Sequence, residues 1–486
     1  MKSETICRKS AKWALAALLM SCAALCAVGE DAGQTGVHGY TPKGYVEVTD
    51  PAVKANIERF RDLKLGLMMH FGIYSQVGID ESWPLVDTAV WGHRQMTDMG
   101  VGDEFKRNYW NLAKTFNPIR FDADAWARTA ATNGFKYLCF TTKHHDGFSM
   151  FDTKYSDFKI TSKDCPYSSR PNADMVRDIW DAFRRRGLAI SCYFSKVDWH
   201  HEDYWEDHGV GHYTTWYPTY MPRERPDKWT RFEQFLRNQM VELCRDYGRI
   251  EVMWLDGGAG GGREDVRVDM DGILAECRKY QPWLIAADRT IKGRNEQLIT
   301  PEQTVPEEPT ACPWESCITM SSNWSYRFDD EYKSAKELIQ TFIGIVAKGG
   351  CLALNVAPRP DGVIPQPALE RMNAMGAWLR TNGCAIYATR PFPPYSVRNW
   401  CFTQRNGHFY AIRLTRNGER DIQQVVINDD KSQDWKVTRI VHVASGAEIP
   451  FDRTSEGWLL KLPYGFAADP YADAFELFFE EDSTAK

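Results

Sequence analysis

The sequence has no C-x-x-C pair, no H-E-x-x-H and no pair of histidines four apart within a helical pattern. Their absence removes the sequence marks of a zinc knuckle, a thioredoxin-type redox centre and a helix-borne zinc hydrolase. Charge of either sign is not in excess: 59 Lys and Arg stand against 65 Asp and Glu, a net charge of −6. With no basic stripe along the chain, a nucleic-acid partner is excluded. No internal repeat or low-complexity tract is present, so a solenoid is excluded too. Long apolar runs are also missing, apart from WALAALLMSCAALCAVG near the start, and that run is short for a membrane span.

Lys2, Arg8, Lys9 and Lys12 precede that run, and small residues follow it. The pattern is that of a secretory signal over 1–29, with cleavage near Ala27 to Gly29 and an exported mature protein, periplasmic or extracellular. Lipid attachment at Cys22 is the alternative, although Met20 suits such a site poorly. Three of the 13 cysteines lie in this leader. The others are scattered, and their spacing identifies no disulfide pairs. The 18 tryptophans read either as core packing or as flat apolar platforms for a ligand.

Residues 30–50 are Gly-rich and polar, a linker. From 51 to 390, strand-like runs alternate with amphipathic helical stretches stopped by glycines such as Gly134 and Gly187. Such alternation over this length predicts a parallel sheet closed as a (β/α)8-like, TIM-type barrel with some irregularity. From 391 to 486, β runs are separated by Asn-Gly, Asp-Asp and Ser-Gly turns, which predicts a C-terminal antiparallel β-sandwich.

Polar residues recur where the barrel strands end: His70, the cluster Lys143-His144-His145-Asp146-Gly147, Tyr193 to Ser195, Asp256, Asp288-Arg289 and Asn355. Barrel sites gather at the C-terminal ends of strands, so these residues describe a polar mouth. His70, His144, His145 and Asp256 offer four N/O ligands for zinc, but adjacent strand residues such as His144 and His145 point to opposite faces. Asp256, between Trp254 and two glycines, reads as a cap for the next segment or as a nucleophile or base. Glycoside chemistry needs a second carboxylate. Glu315 follows Trp314 in an otherwise apolar or hydroxylic run, and burial there would raise its pKa towards that of a general acid. Its rivals, Glu302, Glu307 and Glu308, fall in a Pro-rich loop expected to be solvated.

These residues resemble the family-29 glycoside hydrolases, the α-L-fucosidases. The matching pieces are LMMHFGIYS, TTKHHDGFSMFDTKYSDF, GLAISCYFS, YGRIEVMWLDGG, PWESCITM with SSNWSY, and the run from KGGCLALNVAPRPDG to YATRPF. They span 63–392. The resemblance implies a barrel with a C-terminal β-sandwich and an exo-acting, retaining hydrolysis of terminal α-L-fucose from glycans or glycosides, with no metal and no cofactor. It implies Asp256 as nucleophile and Glu315 as acid/base. His70, His144, His145, Tyr193, Trp254 and Arg289 would line the sugar pocket, and Trp324 would pack on the C5 methyl group. Many members carry a Glu-Trp pair soon after the first strand. Here Glu81-Ser82-Trp83 is the nearest equivalent, followed by an insertion over 84–99. The rivals are a non-catalytic carbohydrate-binding protein on a hydrolase scaffold and a metal-dependent hydrolase using the histidines. Within the family, transfer of fucose to a carbohydrate acceptor is a further outcome.

Overall fold

The computed structural model describes residues 35–36, 39–40, 44–89, 92, 99–206, 216–257, 266–289, 293–419, 422–428 and 435–480. The leader with Cys22 lies outside them, as do 90, 91 and 93–98 of the insertion. Among the described residues, no helix is long and apolar enough to cross a membrane. The ten described cysteines are all unpaired, and nine of them are buried.

Seven parallel strands form one curled sheet: β1 (Leu65–Met69), β2 (Tyr137–Lys143), β3 (Ala189–Ser195), β4 (Val252–Asp256), β5 (Ile285–Asp288), β6 (Glu315–Thr319) and β7 (Cys351–Asn355). Their spatial order is β5-β4-β3-β2-β1-β7-β6. Strands this apolar have to be covered on both faces, and all seven residues of β2 are buried. Helices supply the cover. α1 (Pro51–Leu63) starts on Asp50, whose side chain accepts from the N–H groups of Ala52 and Val53, with Pro51 in the first turn. α2 (Gly102–Asn111), α3 (Ala123–Thr132), α4 (Met175–Arg185), α5 (Pro226–Asp246), α6 (Met270–Tyr280), α7 (Ala335–Ala347) and α8 (Gln366–Asn382) follow. Asp122, Asp174, Asp269 and Ser334 cap four of them in the same way as Asp50.

The two edge strands, β5 and β6, do not pair with each other. An irregular extended segment, residues 295–303, lies between them. On one side Asp288 and Gln297 donate backbone bonds to Asn295 and Ala286. On the other, Ile299 donates to Pro313, Glu315 to Ile299 and Gln303 to Cys317. Among the described residues, the expected irregularity of the barrel lies at this seam and at a register shift between Thr141 and Lys143 where β2 pairs with β3.

After α8 the chain turns wholly antiparallel. β8 (Arg390–Val397), β9 (Trp400–Arg405), β10 (His408–Leu414), β15 (Ala472–Phe479) and β12 (Val437–His442) form one sheet, in that order. β11 (Gln424–Asn428), β14 (Gly457–Lys461) and β13 (Phe451–Thr454) form the facing one. Trp400, Phe402, Ile427, Trp458 and Phe475 are buried in the core of this region.

Candidate active site

Each barrel strand delivers a polar side chain as its backbone pairing ends. His70 follows β1, His144 and His145 follow β2, Asp256 ends β4 and Arg289 follows β5. Together with Met68, Glu81, Trp83, Tyr193, Trp216, Tyr217, Trp254, Glu302 and Trp324 they line one cavity of ≈ 800 Å³, counting its open mouth. That is within the range of small-molecule sites.

The KHHDG turn is held from behind. Lys143 donates to Asp198 at 2.9 Å and to Gln239 at 3.1 Å. Asp146 accepts from the Tyr109 hydroxyl at 2.7 Å and from the Phe148 N–H at 3.0 Å, so its carboxylate braces the turn and does not line this cavity. Gly147 has φ +81°, and a Cβ there would meet Asp198 at 2.2 Å, so only glycine fits. The strand ends at Lys143, before the two histidines, and both rings reach the same cavity.

The histidines are neutral hydrogen-bonding groups. Burial pushes His70 and His145 down to about 4, and His144 well below the ordinary value. Their partners set the proton positions. Ser195 gives its one hydroxyl proton to the Val197 carbonyl at 2.6 Å, so at 2.7 Å it can only accept from His145 Nδ1. Asn355 donates through Nδ2 to the Trp324 carbonyl at 2.7 Å, which leaves its Oδ1 to accept from His70 Nδ1 at 2.8 Å. Nε2 of both rings is thereby left as an acceptor, suited to a ligand O–H. His144 Nδ1 lies 2.6 Å from the Ser82 hydroxyl.

Asp256 is the charged centre. Tyr193 donates to its Oδ2 at 2.6 Å and Arg289 to its Oδ1 at 3.0 Å. Burial alone would raise its pKa. The Arg289 charge, His145 and hydrogen bonds from Tyr193 and the Gly257 N–H together outweigh that and hold the carboxyl well below the usual range. The other end of the same guanidinium donates to Glu302 at 2.6 Å, while its plane lies 4.5 Å from the Trp254 ring centroid. One cation thus carries two carboxylates, a partly buried one on β4 and a half-exposed one on the seam.

His144, His145 and Asp256 also bring potential metal-ligand atoms within 4.8 Å of one another. The fixed charge of Arg289 on the same carboxylate opposes a cation there.

Glu315 does not reach this cavity. It opens β6 instead of ending it, pairing with Cys351 at the start of β7. Strand direction therefore puts it at the N-terminal end of the barrel, opposite the mouth. It is fully buried; one oxygen accepts from the Trp254 indole at 3.0 Å, the other from the Tyr137 hydroxyl. Burial does push it up, to about 7, as the sequence suggested. Gly66 makes room for Tyr137, since a Cβ there would lie 2.1 Å from that ring. The structure thus corrects the expected place of Glu315. It puts into the cavity wall Glu302, a residue that the loop's polarity had set aside.

The other expected residues meet in the cavity, Glu81, Trp83 and Trp324 included. Glu81 has φ +39° and is 3% exposed, and its Oε1 finds no partner among the described residues. Burial, aided by the Asp80 charge, pushes it up to about 8. Ser82, Ser195 and Asn355, which orient the rings, carried no sequence signal beyond their nearness to strand ends. Trp216 and Tyr217 carried none.

The sequence model of the family described as Alpha-L-fucosidase matches residues 38–384. The plasma alpha-L-fucosidase of Homo sapiens is 27% identical over 349 residues, 68% of this chain and 69% of that one. The tissue alpha-L-fucosidase of Rattus norvegicus is 27% identical over 489 residues, 94% of this chain and 95% of that one. Among solved structures, alpha-L-fucosidase isoenzyme 1 from Paenibacillus thiaminolyticus is similar with a TM-score of 0.71 and 26% identity, over 88% of this chain and 100% of that one.

Proposed function

This chain belongs to the alpha-L-fucosidase family, and we propose that it removes terminal α-L-fucose from glycans by a retaining double displacement, with Asp256 as nucleophile and Glu302 as acid/base. The observation that carries this reading is the Arg289 bridge, which holds both carboxylates at one cavity wall.

In the first step Asp256 attacks C1 while Glu302 gives a proton to the departing oxygen. A depressed pKa keeps Asp256 ionised for attack and makes it a competent leaving group later. In the second step Glu302 takes a proton from water, which attacks C1 of the fucosyl ester and restores the starting configuration. Retention requires the two carboxyl groups about 5–5.5 Å apart. His70 and His145 accept sugar O–H groups through Nε2. His144, Glu81 and Arg289 complete the polar wall, and Tyr193, Trp254, Trp83 and Trp324 supply its apolar faces. No step calls for a metal or cofactor. Export of the mature protein, with residues 1–29 removed, belongs to the same reading and is tested by sequencing the N-terminus of the mature chain.

Hydrolysis of 4-nitrophenyl α-L-fucoside and a panel of fucosylated oligosaccharides tests the activity. Release of fucose with its initial α configuration, followed by NMR, is expected. No cleavage of any substrate, or initial release of the β anomer, would overturn it.

A further inference from the structure

The groups assigned to the fucose ring come from strand ends and from the loops of Glu81, Trp83 and Trp324, and form the inner part of the cavity. The cavity does not stop there: its wall continues through Trp216 and Tyr217, both half-buried. No barrel strand carries these residues; they lie between β3 and α5.

This wall is built stiffly. The Trp216 carbonyl accepts from the Trp199 indole at 3.3 Å and from the Tyr204 hydroxyl at 3.0 Å. Trp199 in turn accepts from the Trp205 indole at 3.0 Å, and Tyr220 donates to the Asp203 carbonyl at 2.5 Å. Arg231 grips the Asp203 carboxylate at 2.6 and 3.0 Å. Trp216 itself packs on Trp83 with ring centroids 4.4 Å apart, and on His145 at 5.6 Å. Its indole nitrogen is buried, so what the residue offers the cavity is its ring and not its N–H. A large aromatic ring anchored through its backbone and left half-uncovered towards a cavity is costly unless something covers it.

We infer that Trp216 and Tyr217 form the subsite for the sugar ring to which fucose is attached. The C–H-lined face of a pyranose lies on the indole and beside the Tyr217 ring. The ligand class is a carbohydrate aglycone, as opposed to a flexible lipid or peptide, because the wall offers two flat rings held in place, next to a pocket of hydrogen-bonding groups. The inference rests on the fucosidase reading, since that reading puts the departing group at the mouth.

The test compares two substrates. α-L-Fucosyl fluoride has no aglycone ring, whereas fucose linked to galactose or N-acetylglucosamine has one. For Trp216→Ala, kcat/KM on the disaccharides should fall on the order of tenfold more than on the fluoride, chiefly through KM. Trp216→Leu, which keeps apolar bulk without the flat face, and Tyr217→Ala should move the same ratio in the same direction. Equal losses on both substrates, or no change in the ratio in any variant, would overturn the inference and leave the fucosidase reading intact. Failure of the unaltered protein to cleave either substrate would sink that reading itself, and this inference with it.

Discussion

Glu315 and Trp254 are joined by a 3.0 Å hydrogen bond in the barrel interior, and only Trp254 shows a face to the cavity. The carboxylate that looks most like a buried general acid in the sequence is thus a support for the cavity floor. The two roles separate experimentally.

Glu302→Gln should lower kcat/KM for fucosides with poor leaving groups on the order of 10²–10⁴-fold, and far less for good leaving groups, which need no proton. Azide should restore turnover and yield α-fucosyl azide. Glu315→Gln should instead lower both substrate classes alike, together with the melting temperature, because it disturbs two buried hydrogen bonds. The opposite pattern of leaving-group dependence would return the acid/base role to Glu315.

The histidine orientation can be tested through Ser195. Its alanine variant removes the acceptor that keeps the His145 proton on Nδ1. A fall in kcat/KM on the order of tenfold is expected for substrates that carry all fucose hydroxyls, and Ser195→Thr, which keeps the hydroxyl, should recover part of it. Unchanged kinetics in the alanine variant would show that the proton position is set elsewhere.

Stability should respond to pH on both sides of a plateau. Glu81, Asp146 and Glu315 are pushed up to about 8, 7 and 7, so the fold binds their protons more tightly than the unfolded chain does. Their contribution falls as pH rises from the ordinary carboxyl range to those values. His70 and His145 are pushed down to about 4, and His144 lower still, so acid below 6.5 favours the unfolded chain. Between about 4.5 and 6.5 the two sets oppose each other. The melting temperature should be nearly flat there, then decline towards pH 8 and again below about 4.5. Glu81→Gln should soften the alkaline decline. A melting temperature rising steadily from pH 6.5 to 8 would contradict these assignments.

Chelation separates the proposed chemistry from a metal-dependent hydrolysis by His144, His145 and Asp256. Activity should survive dialysis against EDTA and show no gain on adding zinc. Loss on chelation with recovery on zinc would point to the metal reading.

The barrel strands were legible because they are buried on both faces and read as apolar runs, and because polar residues mark where each run meets the mouth. That logic located His70, His144, His145, Asp256 and Arg289. It misplaced Glu315 because an apolar run containing a Trp-Glu pair does not reveal which end of the strand the pair occupies. It passed over Glu302 because 295–303 has no helical or strand period: it pairs with different edges through its two halves, and Pro301 interrupts it. Trp216 was illegible for a related reason, its position being fixed by hydrogen bonds to its carbonyl from Trp199 and Tyr204.

The central claim is that Asp256 bears the sugar between the two steps. The direct measurement is to treat the protein with 2-deoxy-2-fluoro-α-L-fucosyl fluoride, digest it and locate the added mass. The electron-withdrawing fluorine slows both steps, and the fluoride leaving group lets the first proceed, so the ester accumulates. The mechanism predicts stoichiometric label on the peptide containing Trp254 to Gly257, with the sugar on Asp256, and none in Asp256→Asn. Label on Glu302, Glu81 or Glu315, or full turnover by Asp256→Asn, would contradict it.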